Sequence, residues 1–551
     1  MVKNVPVLWA FVLVILSSQC MLTEAKGMRD PANNNPRLQK ILDYIASSWS
    51  ALTRSTGTCE GVADPKLAGP SVLYVPADLP IPPALSKLSS QCGICAEHLP
   101  FIIQGPGGVK GNGVQPPGLL FLEHPYVVPG GRFNEMYGWD SYFIIRGLLR
   151  AGDLGLARGM VDNFLFEIEH YGAVLNANRT YYLTRSQPPF LSSMITAVYE
   201  ADKAHARENR AWLAQAYRDT VLDYQMWTRD PHLAGATGLS RYYDFGEGPA
   251  PEGLHDEVGY YRDVLAYLIG QNKNEQNKNG QNKNNPSLIE ALPSPQHVAL
   301  SPEYYKGDRS MRESGFDITF RFGPYGAETH HYAPVCLNSL LYKVETDLAQ
   351  MSEWLGDQAA SSVWRQQAER RRKIIQTLLW DGHSGMFFDY DFAKGKLSSY
   401  EYASTFYPLW VGAATAEQAR AVVNNLPRFE YEGGLAMSTH ESGVQWDYPY
   451  GWAPIQLLAV EGLRRYGYNA EADRISIKFL SMVLVNFERD TNIREKYNVV
   501  TDSSNIKLAE GYRDNIIGFG WTNAVFLELM NQLPTDKIER ILAAPGSGAH
   551  R

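Results

Sequence analysis

The chain has 551 residues, 44% hydrophobic and 20% charged, with a net charge of −8. That is the make-up of a soluble globular protein whose core is large enough to need no staples. No Lys/Arg block offers a nucleic-acid patch, and acidity of this size gives solubility rather than naming a partner.

At the N-terminus, Lys3 precedes an apolar run from Val5 to Leu16, followed by Thr23-Glu24-Ala25. This order of basic, apolar and small-residue regions predicts a secretory signal over 1–25, and hence a periplasmic or secreted protein. The run is short for a membrane span, so no stable membrane insertion is expected after cleavage. Beyond the signal stand Cys59, Cys92, Cys95 and Cys336. Cys92 and Cys95 form a C-x-x-C with no second pair to complete a zinc site; a local disulfide or two free thiols is expected there.

Helical spacing recurs along the chain. Leu38, Ile41, Leu42, Ile45, Trp49 and Leu52 share one face of a helix, as do Leu337, Leu340, Leu341, Val344, Leu348 and Met351. Weaker versions lie at 160–168, 213–224, 374–379 and 455–463. Strand-like alternation is scarce, so the predicted class is all-α with long loops. One loop, Gly105–Gly113, reads GPGGVKGNG; it lacks the strand–helix setting of a nucleotide-binding turn. Gln271–Asn285 is QNKNE-QNKNG-QNKNN, which has no apolar residue to bury and predicts a disordered surface insertion rather than a domain boundary. The tail from Ala544 is expected to be disordered as well.

The unusual residues sit in the loops. Pro129–Phe143, PGGRFNEMYGWDSYF, packs Arg132, Trp139 and Asp140 after two glycines. Arg and Asp serve hydroxyl groups as donor and acceptor, and Trp covers an apolar sugar face. Asn176–Pro189, NANRTYYLTRSQPP, adds Asn176, Arg185 and Gln187; its Asn178-Arg179-Thr180 also matches a glycosylation sequon, read here as chance. Arg312–Phe322, RESGFDITFRF, sets Glu313 and Asp317 among apolar residues, which raises a carboxyl pKa as a general acid requires. Gln445–Pro454 is QWDYPYGWAP; Arg494–Asn498 is REKYN; Glu510 and then GFGWTN at 518–523 follow. Asp447 and Glu135 read as structural or supporting acids.

These segments, in this order, resemble those of the inverting α,α-trehalases, glycoside hydrolase family 37. The wording is most similar to the fungal neutral type, although that type's calcium-binding extension is not visible; Asp389-Tyr-Asp391 comes nearest and lacks the loop glycine. The resemblance implies an (α/α)₆ barrel as a single catalytic domain over 26–551, with its site at one end of the toroid. It implies hydrolysis of trehalose with Asp317 as general acid and Glu495 as general base. It also implies sugar contacts from Arg132, Trp139, Asp140, Asn176, Arg185, Ser186, Gln187, Glu252, Gly315 and Glu510. No metal or cofactor is required. Relatives carry P-R-P-E where this chain has Pro249-Ala250-Pro251-Glu252, so one cationic contact is in doubt. They read P-V-D-L-N where this chain has Pro334-Val335-Cys336-Leu337-Asn338, a change expected to touch a helix-start cap. Two alternatives stay open: a glucoamylase-like hydrolase on the same toroid, and a non-catalytic trehalose-binding protein.

Overall fold

The computed structural model describes residues 35–63, 71–105, 114–255, 257, 259–279, 288–291, 298–508 and 515–543. The expected signal over 1–25, most of the Gly105–Gly113 loop and the tail from Ala544 lie outside the described residues. No helix among the described residues is long and apolar enough to cross a membrane.

The principal helices are α1 (Pro36–Leu52), α2 (Gly138–Ala151), α3 (Leu154–Tyr171), α4 (Leu191–Ala201), α5 (Arg210–Trp227), α6 (Tyr260–Asn279) and α7 (Pro302–Glu313). Then follow α8 (Val335–Trp354), α9 (Gln358–Leu378), α10 (Tyr407–Val411), α11 (Ala416–Asn424), α12 (Ala453–Arg465), α13 (Asn469–Asp490) and α14 (Gly520–Gln532). Six of them close a ring: α2 packs on α4, α4 on α8, α8 on α10, α10 on α12, α12 on α14, and α14 back on α2. Helices such as α3, α5, α9 and α13 stand outside, each against the inner helix next to it in sequence or its ring neighbour.

The two layers differ in sequence for a physical reason. An inner helix meets neighbours on several sides, so nearly every residue of α12 from Ala453 to Leu463 is buried. An outer helix buries one stripe, so α9 buries only Ser361, Ala368, Arg371 and Ile375 and leaves its basic face in water. The spaced residues of α1 face inward as expected: Leu38, Ile41, Ile45, Trp49 and Leu52 are buried. Local signals set the ends. Asn35 caps α1, its side chain accepting the Arg37 N–H at 2.9 Å. Gly152 ends α2 in the left-handed region at φ 82°.

Three findings depart from expectation. Of the insertion expected to be disordered over 271–285, residues 271–279 are described as the continuation of α6. Gln, Asn, Lys and Glu tolerate a helix already started by Tyr260–Gly270, and no Gly or Pro interrupts them before Gly280. The remainder, 280–287, lies outside the described residues. Next, Cys92 pairs with Cys59 rather than Cys95, which leaves Cys95 exposed and free. Cys59 starts a short helix packed near Leu85–Cys92, and this proximity outweighs the sequence spacing. That bridge closes a small unit around a parallel three-stranded sheet, Val72–Val75 between Cys95–His98 and Leu119–Leu120.

Finally, Cys336 is not a cap. It is fully buried in the first turn of α8, with Sγ 3.5 Å from both terminal nitrogens of Arg321 and 3.7 Å from the Tyr242 hydroxyl. The start of α8 is instead held by Asp389, which accepts the Val335 N–H at 2.9 Å.

Candidate active site

The segments that precede or begin the inner helices α2, α4, α12 and α14, together with the end of α7, converge on one cavity of about 130 Å³. Ten of the twelve residues singled out from the sequence line it: Arg132, Trp139, Asp140, Asn176, Arg185, Gln187, Glu252, Gly315, Asp317 and Glu495. Ser186 does not; it is buried behind the wall and its hydroxyl donates to the Val174 carbonyl at 2.6 Å. Glu510 lies outside the described residues.

Asp317 owes its position to the end of α7. Ser301 caps the other end, accepting the Tyr304 N–H at 3.2 Å, and Pro302 fills the first turn. The helix stops where Gly315 takes φ +74°; a Cβ there would stand 3.0 Å from the Trp139 ring, so a larger residue would be strained and would crowd that ring. Two residues on, Asp317 enters the cavity, its carbonyl accepting a hydrogen bond from the Gln445 side chain. Burial pushes its carboxyl up to about 7, and Glu257 adds to that, while Arg312 and Arg185 oppose it. The carboxyl is therefore about half protonated at neutral pH and increasingly neutral below it.

Glu495 sits before β-strand Lys496–Asn498, which pairs with Tyr450–Trp452. Its backbone N–H donates to the Ile516 carbonyl at 3.0 Å. Its carbonyl accepts from the Trp521 indole at 3.2 Å. The carboxylate pairs with the Lys496 ammonium at 2.5 Å. Asp140, at the start of α2, lies near both other acids: burial raises its pKa well above the usual carboxylate range, and Glu495 and Asp317 add to the rise.

Cations and rings complete the walls. Arg185 bonds Glu252 and lies 3.7 Å from Asp244, its guanidinium 4.8 Å from the Tyr182 ring centroid. Burial pushes the Glu252 carboxyl up, but Arg185 and Arg312 outweigh it and hold the group below its ordinary value. The Trp139 backbone N–H donates to Gln187 Oε1 at 2.9 Å. Trp446 and Trp452 stack at 3.8 Å, with Trp521 edge-on to both.

Arg312 and Glu257 are site residues that the sequence reading did not assign. The Arg312 guanidinium binds Glu257 at 2.7 and 3.2 Å, Asp308 at 3.3 Å and approaches Glu252 at 3.7 Å. Its signal was present, as the first residue of RESGFD; Glu257 had none. Trp446, Trp452 and Trp521 were inside the quoted motifs without an assigned role.

The acids read as structural are held elsewhere. Asp447 accepts from the Thr319 hydroxyl, the Phe320 N–H and the Ser442 hydroxyl at 2.6–2.9 Å. Glu135 pairs with buried Arg179. Asn178 of the sequon is fully buried and bonds Met136 N–H and Leu120 carbonyl. Asp389, nearest to a calcium-loop pattern, is the partner of Arg321 at 2.6 Å.

A polar pocket gathered by the inner helices of a toroid, with a buried carboxyl of raised pKa and a lysine-paired carboxylate among arginines and tryptophans, fits one class: a glycoside hydrolase. The Trehalase family model matches residues 111–534, and the chain belongs to that family. It is similar to the cytosolic neutral trehalase of Saccharomyces cerevisiae, 36% identical over 92% of this chain and 73% of that protein. It is also similar to the cytosolic neutral trehalase of Emericella nidulans, 39% identical over 75% of this chain and 58% of that protein. Among solved structures, neutral trehalase Nth1 from Saccharomyces cerevisiae superposes with a TM-score of 0.75 at 35% identity, covering 93% of this chain and 96% of that one. The (α/α)₆ fold expected from the resemblance holds. The expected export is overturned: the relatives that this chain matches are named cytosolic enzymes, not periplasmic or secreted ones. The apolar run at 5–16 matches a signal's pattern of residue types, and that pattern alone does not establish export.

With Asp317 held near 7, kcat/KM for the glycosidic substrate should fall about tenfold per pH unit on the alkaline side, because the proton it would donate is lost there. An Asp140→Asn variant should keep that limb. A rate that stays flat to about two units above neutrality would remove Asp317 as the proton donor.

Proposed function

We propose that the protein hydrolyses α,α-trehalose to two glucose molecules with inversion at the attacked carbon. Asp317 is the general acid and Glu495 the general base. The supporting observation is that two carboxyl groups in different settings line one cavity: Asp317 is buried and pushed up to about 7, and Glu495 is bonded to the Lys496 ammonium.

Asp317 gives its proton to the glycosidic oxygen as the C–O bond breaks. Glu495 takes a proton from a water molecule that attacks the anomeric carbon from the opposite face. Arg132, Arg185, Gln187 and Asn176 offer donors and acceptors to the hydroxyls, and Glu252 fixes the Arg185 fork. Asp140, itself driven toward the neutral form, both donates and accepts. Trp139 and its ring neighbours cover an apolar sugar face and exclude water.

The test is stereochemical. Both anomeric carbons of trehalose are α. Displacement by water gives one β-glucose, and the other glucose leaves as α. Proton NMR in the first minutes should show equal α and β signals before mutarotation mixes them. An early excess of α alone would overturn inversion. Faster release of glucose from maltose than from trehalose would favour the glucoamylase-like alternative.

A further inference from the structure

Away from the cavity, three side chains converge on one point. Glu303 lies in the first turn of α7. His330 and His331 form a 3₁₀ turn, Thr329–His331, that packs on the same helix. The Nε2 atoms of both imidazoles face a single carboxylate oxygen, Glu303 Oε1, at 2.9 Å from His330 and 3.0 Å from His331. The rings lie 4.2 Å apart, and one nitrogen or oxygen from each residue falls within 4.8 Å of the other two.

The backbone holds this geometry. The His331 N–H donates to the Glu328 carbonyl at 2.9 Å, and the His331 carbonyl accepts from Phe392 N–H at 3.0 Å. The His330 carbonyl accepts from Arg241 at 2.9 Å. Glu303 is fixed by the capped, proline-started turn of α7. Rings so constrained lose little entropy on binding an ion.

We propose that Glu303, His330 and His331 form a binding site for a divalent transition-metal ion of the zinc class, at the end of α7 opposite the active site. Two imidazoles and one carboxylate are the borderline donor set that such ions take, with solvent in a fourth position. Magnesium and calcium prefer all-oxygen sets. The charges fit. His330 is buried, so its ring is held in place beside Glu303. Glu303 supplies the negative charge and pairs with no Lys or Arg among the described residues. The other charged group facing His330 is Arg241, which bonds its carbonyl. The Glu303 and His331 side chains are 40% and 30% exposed, which leaves a path for the ion. Bound there, it ties the start of α7 to the 3₁₀ turn, roughly 14 Å along the helix from Arg312.

The experiment is calorimetric titration of the full chain with zinc chloride, and with magnesium chloride for comparison. It is run in a Cys95→Ser background, because the exposed Cys95 thiol is a competing zinc ligand. One equivalent of zinc should bind, with magnesium inert. His331→Ala and Glu303→Gln should each weaken zinc binding at least about tenfold, since a ligand is lost. Zinc should raise Tm in the parent and not in His331→Ala. Unchanged activity of both variants in chelator shows that they fold. Absence of saturable zinc binding, or binding that is indifferent to both substitutions, overturns the site. So does binding that disappears with Cys95→Ser alone.

Discussion

Asp317→Asn is expected to lower kcat for trehalose by about two to four orders of magnitude, the usual range for a general acid. The protein should still fold. The amide nearly preserves volume, and the link from Gln445 is to the Asp317 carbonyl, which the substitution leaves in place. Thermal stability should even rise on the alkaline side. In the unfolded chain the carboxyl ionises near its ordinary value; in the folded chain it ionises only near 7. Folding is therefore penalised progressively between those values and fully above the higher one. Asn carries no such penalty. Glu495→Gln should lose activity to a similar degree but lower Tm, because it removes a charged partner of the fully buried Lys496. Opposite signs in Tm with the same loss of turnover would separate a chemical role from a folding defect. Near-parental turnover in either variant removes that residue from the mechanism.

The second large effect is on stability and lies outside the cavity. Asp389→Ala should destabilise the fold by about 3–5 kcal/mol, the range for breaking a buried ion pair from one side. Arg321 and Asp389 are both buried and joined by two hydrogen bonds of 2.6 Å. The remaining polar neighbour of the guanidinium, the Cys336 thiol, is pushed up by burial, with the nearby Asp389 charge adding to the rise, so it supplies no negative charge at neutral pH. Adding Cys336→Asp to Asp389→Ala should recover much of the loss, because a carboxylate then stands where the thiol touches Arg321. Denaturant midpoints for the parent, single and double variants decide this. A double variant no more stable than Asp389→Ala would show that Arg321 does not need a counter-charge at that position.

The sequence carried more of the site than of the fold. Arg132, Asp140, Asn176, Arg185, Asp317 and Glu495 stand in segments outside the helical periodicity, and it was the resemblance of those segments to the trehalases that singled them out. The helical class was legible because burial on one face repeats every three or four residues, as in Leu38 to Leu52. The ring was legible only through the family resemblance, because closure of α14 on α2 is a contact between distant segments that leaves no local pattern. Glu257 was invisible for a like reason: it meets Arg312 only in space. The partner of Cys92 was misread because spacing favoured Cys95, whereas pairing depends on where Cys59 is brought. The strand Val72–Val75 is four residues long, too short for alternation to show.

The ring closes between its first and last inner helices, and the two proposed catalytic acids come from separate stretches of chain. A ribosome must therefore pass Gly520–Gln532 before any catalyst exists. During synthesis α2 emerges early and waits, with the face that meets α14 uncovered, until Gly520–Gln532 is made. Such long-range closure makes for slow final assembly and a window of exposure in which chaperones or proteases act. Turnover in a cell is thus a report on completed closure of the ring.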